Sequence, residues 1–151
     1  GRACAAAAPA GLLIWILANF RAGDMTILNH LEEFLDAPGH ILGMDGAVLL
    51  GFLLGFPANE IVIPIIIMCY TGAGTLTEID NTEVLRMLFA DNGWTIKTAV
   101  CMITAVLFHF PCATTCMTIK KETGSFKWTA AAFILPTLCG IILCSIINFV
   151  F

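Results

Sequence analysis

The sequence predicts an all-α fold, a polytopic transmembrane helical bundle with discontinuous, proline-broken helices. Three observations predict it. Apolar residues make up 59% of the chain and charged residues only 12%, roughly half the charged share of an ordinary soluble domain. The charges are segregated: residues 3–20, 98–119 and 128–151 carry no Asp, Glu, Lys or Arg. At about 1.5 Å per helical residue each stretch is ~27 to 36 Å long, enough to cross a hydrocarbon core. Finally, two apolar regions are interrupted by proline beside polar or thiol side chains, P-A-N-E at 57–60 and F-H-F-P-C-A-T-T at 108–115.

Taken in order, residues 3–20 form an Ala-rich span in which small side chains let neighbouring helices approach closely and Pro9 introduces a kink. Beyond Arg21 and Asp24, Met25, Leu28, Leu31, Phe34 and Leu35 recur at helical spacing beside His30, Glu32, Glu33 and Asp36. That pattern predicts a short amphipathic helix lying on a membrane surface, ended by residues 37–40. Residues 42–56 and 61–70 are the two halves of a broken helix. Proline removes an amide donor, so backbone groups near Pro57 need partners that lipid cannot supply, and the break must face protein or a polar cavity. Residues 71–97 form a polar excursion with a short helix over 82–91 and Trp94 as an interfacial aromatic. The span 98–119 breaks near Pro111. A loop bearing Lys120, Lys121 and Lys127 then leads through Trp128 into the last span, and its lysines mark it as cytoplasmic.

The formal charge of −4 is the sum of short extramembrane segments and implies no nucleic-acid partner. Cys4, Cys69, Cys101, Cys112, Cys116, Cys139 and Cys144 sit mostly in apolar spans, where cysteine behaves as a small hydrophobe, and an odd number so placed argues against a disulfide framework. No tandem repeat of 20 to 50 residues occurs, yet the paired broken segments have the design of transporters built from discontinuous helices. The chain contains no G-x-x-x-x-G-K-[ST], H-E-x-x-H or G-x-S-x-G, so catalysis has no sequence basis. The 151 residues start at the edge of one span and stop inside another, and are read as one region, 1–151, of a longer protein.

Glu60 and Asn59 are the first candidate ligands. An ionised carboxylate at mid-membrane costs about 2.5 to 3.5 kcal/mol even on lenient insertion scales and needs a partner. One reading is cation coordination by Asn59, Glu60 and carbonyls freed by Pro57; the other is a hydrogen-bonded Glu joining two helices. Cys112, directly after Pro111, is a soft donor suited to first-row transition metals, with Cys116 one turn later. His109 is either a ligand or gate, or a packing histidine bonded to a neighbouring carbonyl. Thr114 and Thr115 can cap the opened backbone, Asp45 reads as an N-cap, and Met68, Met102 and Met117 as packing.

G-F-P-A-N-E-I-V-I-P at 55–64, F-H-F-P-C-A-T-T, and I-K-K-E-T-G-S-F-K-W-T at 119–129 resemble the bacterial ferrous iron transport protein B family. G-R-A and A-A-P-A-G-L-L-I-W near the start and L-G-M-D-G at 42–46 do so too, so the likeness spans nearly the whole chain in order. The resemblance implies the second of two gate regions in a membrane domain that moves ferrous iron into the cytoplasm. The first gate region, a GTP-binding domain using GTP and Mg, and a helical spacer would lie upstream in the same polypeptide, in the bacterial inner membrane and at its cytoplasmic face. It also implies Cys112, after Pro111, as a liner of the iron path, with Asn59 and Glu60 matching the P-A-N-E pattern. Phe110 departs from the family by standing where tryptophan is more usual. The transported ion is then Fe(II), no cofactor is held by this region, and a small cytoplasmic accessory protein and a second copy are further partners. Two other readings stand beside it: transport of a small nucleoside-type solute through broken helices, with Cys112 as packing, and a structural membrane anchor for a cytoplasmic regulator.

Overall fold

The computed structural model describes the backbone over residues 2–151 and side chains from Ala8 onward; the Cys4 thiol lies outside the described residues. Among the described residues the chain is all-α apart from one short ladder. The helices are α1 (Arg2–Asn19), α2 (Ile27–Ile41), α3 (Gly46–Leu54), α4 (Val62–Thr71), α5 (Thr82–Asp91), α6 (Ile96–Leu107), α7 (Ala113–Thr123) and α8 (Phe126–Val150), with a 3-10 turn at Asn59–Ile61. Between α1 and α2 the sequence reading missed a hairpin in which β1 (Arg21–Ala22) pairs antiparallel with β2 (Met25–Thr26). Gly23 at φ 83° makes that turn, a conformation costly for a residue bearing a Cβ.

The helix ends follow local chemistry. Thr26 caps α2 by accepting from the Asn29 amide at 3.2 Å, and Asp45 caps α3 by accepting from Val48 at 2.9 Å, the role its sequence position predicts. The short helix expected over 82–91 is α5, capped by Asn81. Two expected boundaries shift. Residues 37–40 do not end α2, which runs through Pro38 to Ile41. Its last carbonyls are held from elsewhere, since Asn148 of α8 donates to His40 O at 2.8 Å and to Ile41 O at 3.0 Å. Likewise Lys120 and Lys121 lie in the last turn of α7 rather than in a loop, where their charge complements the helix C-terminus. Gly124 at φ 62° then stops the helix.

The core centres on α3 and α4, where Val48, Leu50, Ile65 and Ile66 are fully buried. Gly51 and Gly55, spaced G-x-x-x-G, let the two helices approach. A Cβ on Gly51 would meet Ile66 Cγ1 at 2.8 Å, and one on Gly55 would meet Val62 Cγ2 at 2.4 Å. Small residues at this spacing allow backbones to come together without a hydrophobic driving force. Ile14 of α1, Leu28 of α2 and Met68 of α4 extend the core on one side, and Met44, Cys101, Met102 and Cys144 on the other. Cys69, Cys101 and Cys144 are buried and free.

One polar network crosses this core. Trp94 Nε1 donates to Tyr70 Oη at 2.7 Å, and Tyr70 Oη donates to the Asp45 carboxylate, so the cap of α3, the end of α4 and the approach to α6 are joined. Trp94 also stacks on Phe89 of α5, with ring centroids 4.3 Å apart. Tyr70→Phe removes a donor to Asp45 and an acceptor for Trp94 while keeping the ring. It is expected to destabilise the fold by about 1 to 3 kcal/mol, read as a lower thermal midpoint of the detergent-solubilised protein.

The outside of the bundle is apolar. Ile134, Leu135, Leu138, Ile142 and Phe149 of α8 are exposed, as are Ile103 and Leu107 of α6 and Leu12 and Leu13 of α1. Among the described residues α8 is long and apolar enough to cross a membrane unaided, and α2 with α3 forms an apolar pair bent by 106°.

Candidate functional site

The segment after α3, which carries Pro57, meets the segment between α6 and α7, which carries Pro111. Pro57 has no amide hydrogen, and the segment after α3 turns in tight steps, with Phe56 N–H on Leu53 O at 3.4 Å and Ala58 N–H on Gly55 O at 3.0 Å. In a continuing helix Phe52 O would accept from Phe56 and Phe56 O from Glu60. Both carbonyls instead receive donors from the segment between α6 and α7. The Ala113 amide donates to Phe56 O at 3.0 Å, and His109 Nε2 lies 3.4 Å from Phe52 O. A carbonyl only accepts, so Nε2 carries the proton, leaving Nδ1 as the one ring nitrogen able to act as a ligand. His109 makes the carbonyl contact foreseen in its packing role.

Aromatic rings surround this junction. His109 sits 3.8 Å from Phe110 and 4.9 Å from Phe52, centroid to centroid. Phe110 stacks on Phe133 of α8 at 4.7 Å, and Phe56 stands 5.7 Å from Phe110 and 6.0 Å from Phe133. Gly140 lets α8 approach further, because a Cβ there would lie 3.0 Å from Phe108 Cβ. The aromatic residue at 110, which departs from the pattern the sequence resembles, is thus the hub of the cluster. The spacing of Phe52 and Phe56, one turn apart, and the F-H-F run were its sequence signals. What the sequence hides is that Phe133, far along the chain, completes it.

The candidate ligands do not converge on one point. Asn59 and His109 line a common cavity of about 140 Å³ with Phe52 and Met102, so Met102, read from sequence as packing, shares the wall of that cavity. Glu60 is exposed and lines a separate cavity of about 230 Å³ with Glu78 and Asp80. Cys112 is half-buried at the N-cap of α7. Its Sγ lies 3.1 Å from Thr114 Oγ1 and 3.2 Å from Thr115 Oγ1, so these hydroxyls face the thiol rather than capping backbone. Cys116 Sγ donates to Pro111 O at 3.4 Å. Among the described residues no three His, Cys, Asp or Glu side chains are grouped to hold a metal ion. The arrangement offers separate stations in place of one closed coordination cage: a neutral O/N pair at Asn59 and His109, a soft sulfur at Cys112, and a carboxylate at Glu60.

The chain matches the Gate (nucleoside recognition) family over residues 4–126. It is similar to the Fe(2+) transporter FeoB of Leptospira interrogans serogroup Icterohaemorrhagiae serovar copenhageni (strain Fiocruz L1-130), at 24% identity over 148 residues, covering 84% of this chain and 21% of that protein. It is also similar to the Fe(2+) transporter FeoB of Staphylococcus aureus (strain MSSA476), at 27% identity over 145 residues, covering 87% of this chain and 20% of that protein. The chain therefore spans about a fifth of the length of these curated relatives. No solved structure gives a significant match. With most of its length matched in this way, the chain belongs to the Gate (nucleoside recognition) family and is a FeoB-like gate region.

Proposed function

We propose that this chain is the second gate region of a ferrous iron transporter that carries Fe(II) across a bacterial cytoplasmic membrane, its helices crossing the bilayer in several passes. The observation that carries the reading is the meeting of the two interruptions. Irregular backbone at membrane depth is tolerated where it is buried in protein or lines a cavity, and here the segment between α6 and α7 supplies donors to the Phe52 and Phe56 carbonyls beside a cavity bearing Asn59 and His109. The exposed apolar faces of α1, α6 and α8 suit contact with lipid, and the relatives' names supply the cargo.

In this reading each of α3–α4 and α6–α7 is one proline-broken span. Fe(II) exchanges part of its water for Asn59 Oδ1 and His109 Nδ1, then for the Cys112 thiolate, with Glu60 as a further oxygen donor. Scattered, weakly chelating stations suit transport, because a conducted ion must bind well enough to come in and loosely enough to leave. A thiolate binds Zn(II) more tightly than Fe(II) in the Irving–Williams order, so selectivity rests on geometry and on which metal the cell presents. GTP binding and hydrolysis belong to an upstream domain of the same polypeptide, which also carries the first gate region. A small cytoplasmic accessory protein and a second copy of the transporter are its other partners, and the chain itself catalyses no reaction.

The test is anaerobic uptake of radiolabelled Fe(II) by cells expressing the complete protein, with and without excess uridine. Cys112→Ser, at matched membrane abundance, is expected to lower uptake at least tenfold, since serine keeps the size but is a hard, un-ionised donor. Glu60→Gln, removing one charge from an exposed station, is expected to lower it two- to fivefold. Wild-type iron uptake unaltered by Cys112→Ser would remove the thiol from the path. Uridine uptake in place of iron uptake would replace the iron reading with nucleoside-type transport, and neither flux would leave an anchoring role.

A further inference from the structure

Three cavities share lining residues in series. The first, about 340 Å³, is polar and lies where the α2–α3 turn meets the start of α6 and the end of α8; Asp45, Asn92, Thr98 and Asn148 line it together with His40 and Lys97. The second, about 240 Å³, is almost wholly apolar, walled by Leu42, Leu49, Phe52 and Ile141. The third is the 140 Å³ cavity of Asn59 and His109. Met44 lines the first and second, and Phe52 with His109 lines the second and third.

Building on the transport reading above, we infer that the three cavities form one permeation route and that Met44 is the constriction between its polar mouth and the apolar cavity that follows. Met44 is 4% exposed and is the residue shared by the linings of the first two cavities. It lies outside any helix, on the turn joining α2 to α3, with its amide held by Gly39 O at 3.0 Å. A flexible, unbranched thioether on a turn can swing aside more cheaply than a helical side chain. The mouth accommodates a cation with its first hydration shell, on the order of 180 Å³ for about six waters at ~30 Å³ each. Its wall carries Asp45 and Lys97 together, so it hydrates an ion rather than concentrating charge. Beyond Met44 the apolar chamber opposes a hydrated ion, which is gating by dewetting.

Depth agrees with this order. The 12 residues of α6 start beside the mouth and end at the His109 interruption, a rise of ~18 Å and about half of a hydrocarbon core. The 25 residues of α8 separate Lys127, near its first turn, from Asn148 at the mouth. The mouth therefore opens on the face opposite the lysine-bearing α7–α8 turn, which is the extracytoplasmic face if lysines mark the inside.

The test is thiol accessibility in the complete protein in intact cells, using a membrane-impermeant, positively charged methanethiosulfonate. Labelling is read above the wild-type background by mass shift and needs no iron flux. Asn92→Cys is expected to label from outside. His109→Cys, at a half-buried position lining the second and third cavities, is expected to label at least tenfold more slowly, and to approach the Asn92→Cys rate when combined with Met44→Ala. Labelling of Asn92→Cys only in inverted vesicles, or slow labelling of His109→Cys unchanged by Met44→Ala, would overturn the inference. Fe(II) uptake in the same cells separates the two levels: Met44→Phe is expected to lower it at least tenfold at matched abundance. Labelling as expected without wild-type iron flux would keep the route and remove the iron reading.

Discussion

Gly46→Val in the complete protein is expected to leave little stable protein in the membrane. Gly46 opens α3 where that helix crosses α2, and a Cβ there would lie 2.0 Å from Glu32 O and 2.9 Å from Asp36 N, both backbone atoms. No rotamer change relieves such a contact, so the helices must separate. Separation would strain the Gly46 N–H bond to Asp36 Oδ1, 3.0 Å long, and the approach of Gly39 to Asp45, where a Cβ would lie 2.9 Å from the Asp45 carbonyl carbon. Overpacking typically costs about 1 to 3 kcal/mol, and more when backbone must move, against a total stability of about 5 to 15 kcal/mol. Gly11→Ala is the control, because a Cβ at Gly11 of α1 has nothing within 4 Å and alanine is the better helix former. The measurement is membrane abundance and thermal midpoint in detergent. A Gly46→Val protein melting within two or three degrees of the control would show, at about that scale, that the α2–α3 crossing is not held this tightly.

Much of this local architecture was legible in the sequence because its signals are local. Asp45 before an apolar run reads as a cap and the 82–91 pattern as a short helix. What was not legible depends on partners distant in the chain. The extension of α2 past Pro38 rests on Asn148, more than a hundred residues away, and no local pattern announces it. The chemistry at Thr114 and Thr115 was misread because a hydroxyl near an opened backbone has two candidate partners, carbonyl and thiol, and spacing does not choose between them. The candidate ligands were chosen by type, and three-dimensional placement sorts them: Asn59 with His109, Glu60 with Glu78 and Asp80, Cys112 with its two threonines. That donors from residues 109–113 reach the Phe52 and Phe56 carbonyls could not be read from either segment alone, since neither names its partner.

That contact supports the second large prediction, Ala113→Pro, which is expected to lower Fe(II) uptake at least tenfold without touching a candidate ligand. Ala113 is the first residue of α7, a position where proline is well tolerated by a helix because the amide has no intrahelical partner. Cys112 before it, at φ −61° and ψ 162°, already has the extended conformation that a following proline requires. What proline removes is the amide that donates to Phe56 O, and its ring carbons intrude where that carbonyl lies. Depriving that carbonyl of its donor costs up to about 1 to 3 kcal/mol, too little to unfold the bundle but enough to part the two segments. His109 and Asn59 would then no longer face one cavity, and Phe56 would lose its register with Phe110 and Phe133. Ala113→Ser, which keeps the amide, is expected to transport like wild type. Circular dichroism of the purified variant should retain the wild-type helical content, so a fall in uptake reports the junction and not the helix. If Ala113→Pro transports at the wild-type rate, the contact between the breaks is incidental packing, and the path for the ion runs through a different part of the complete protein.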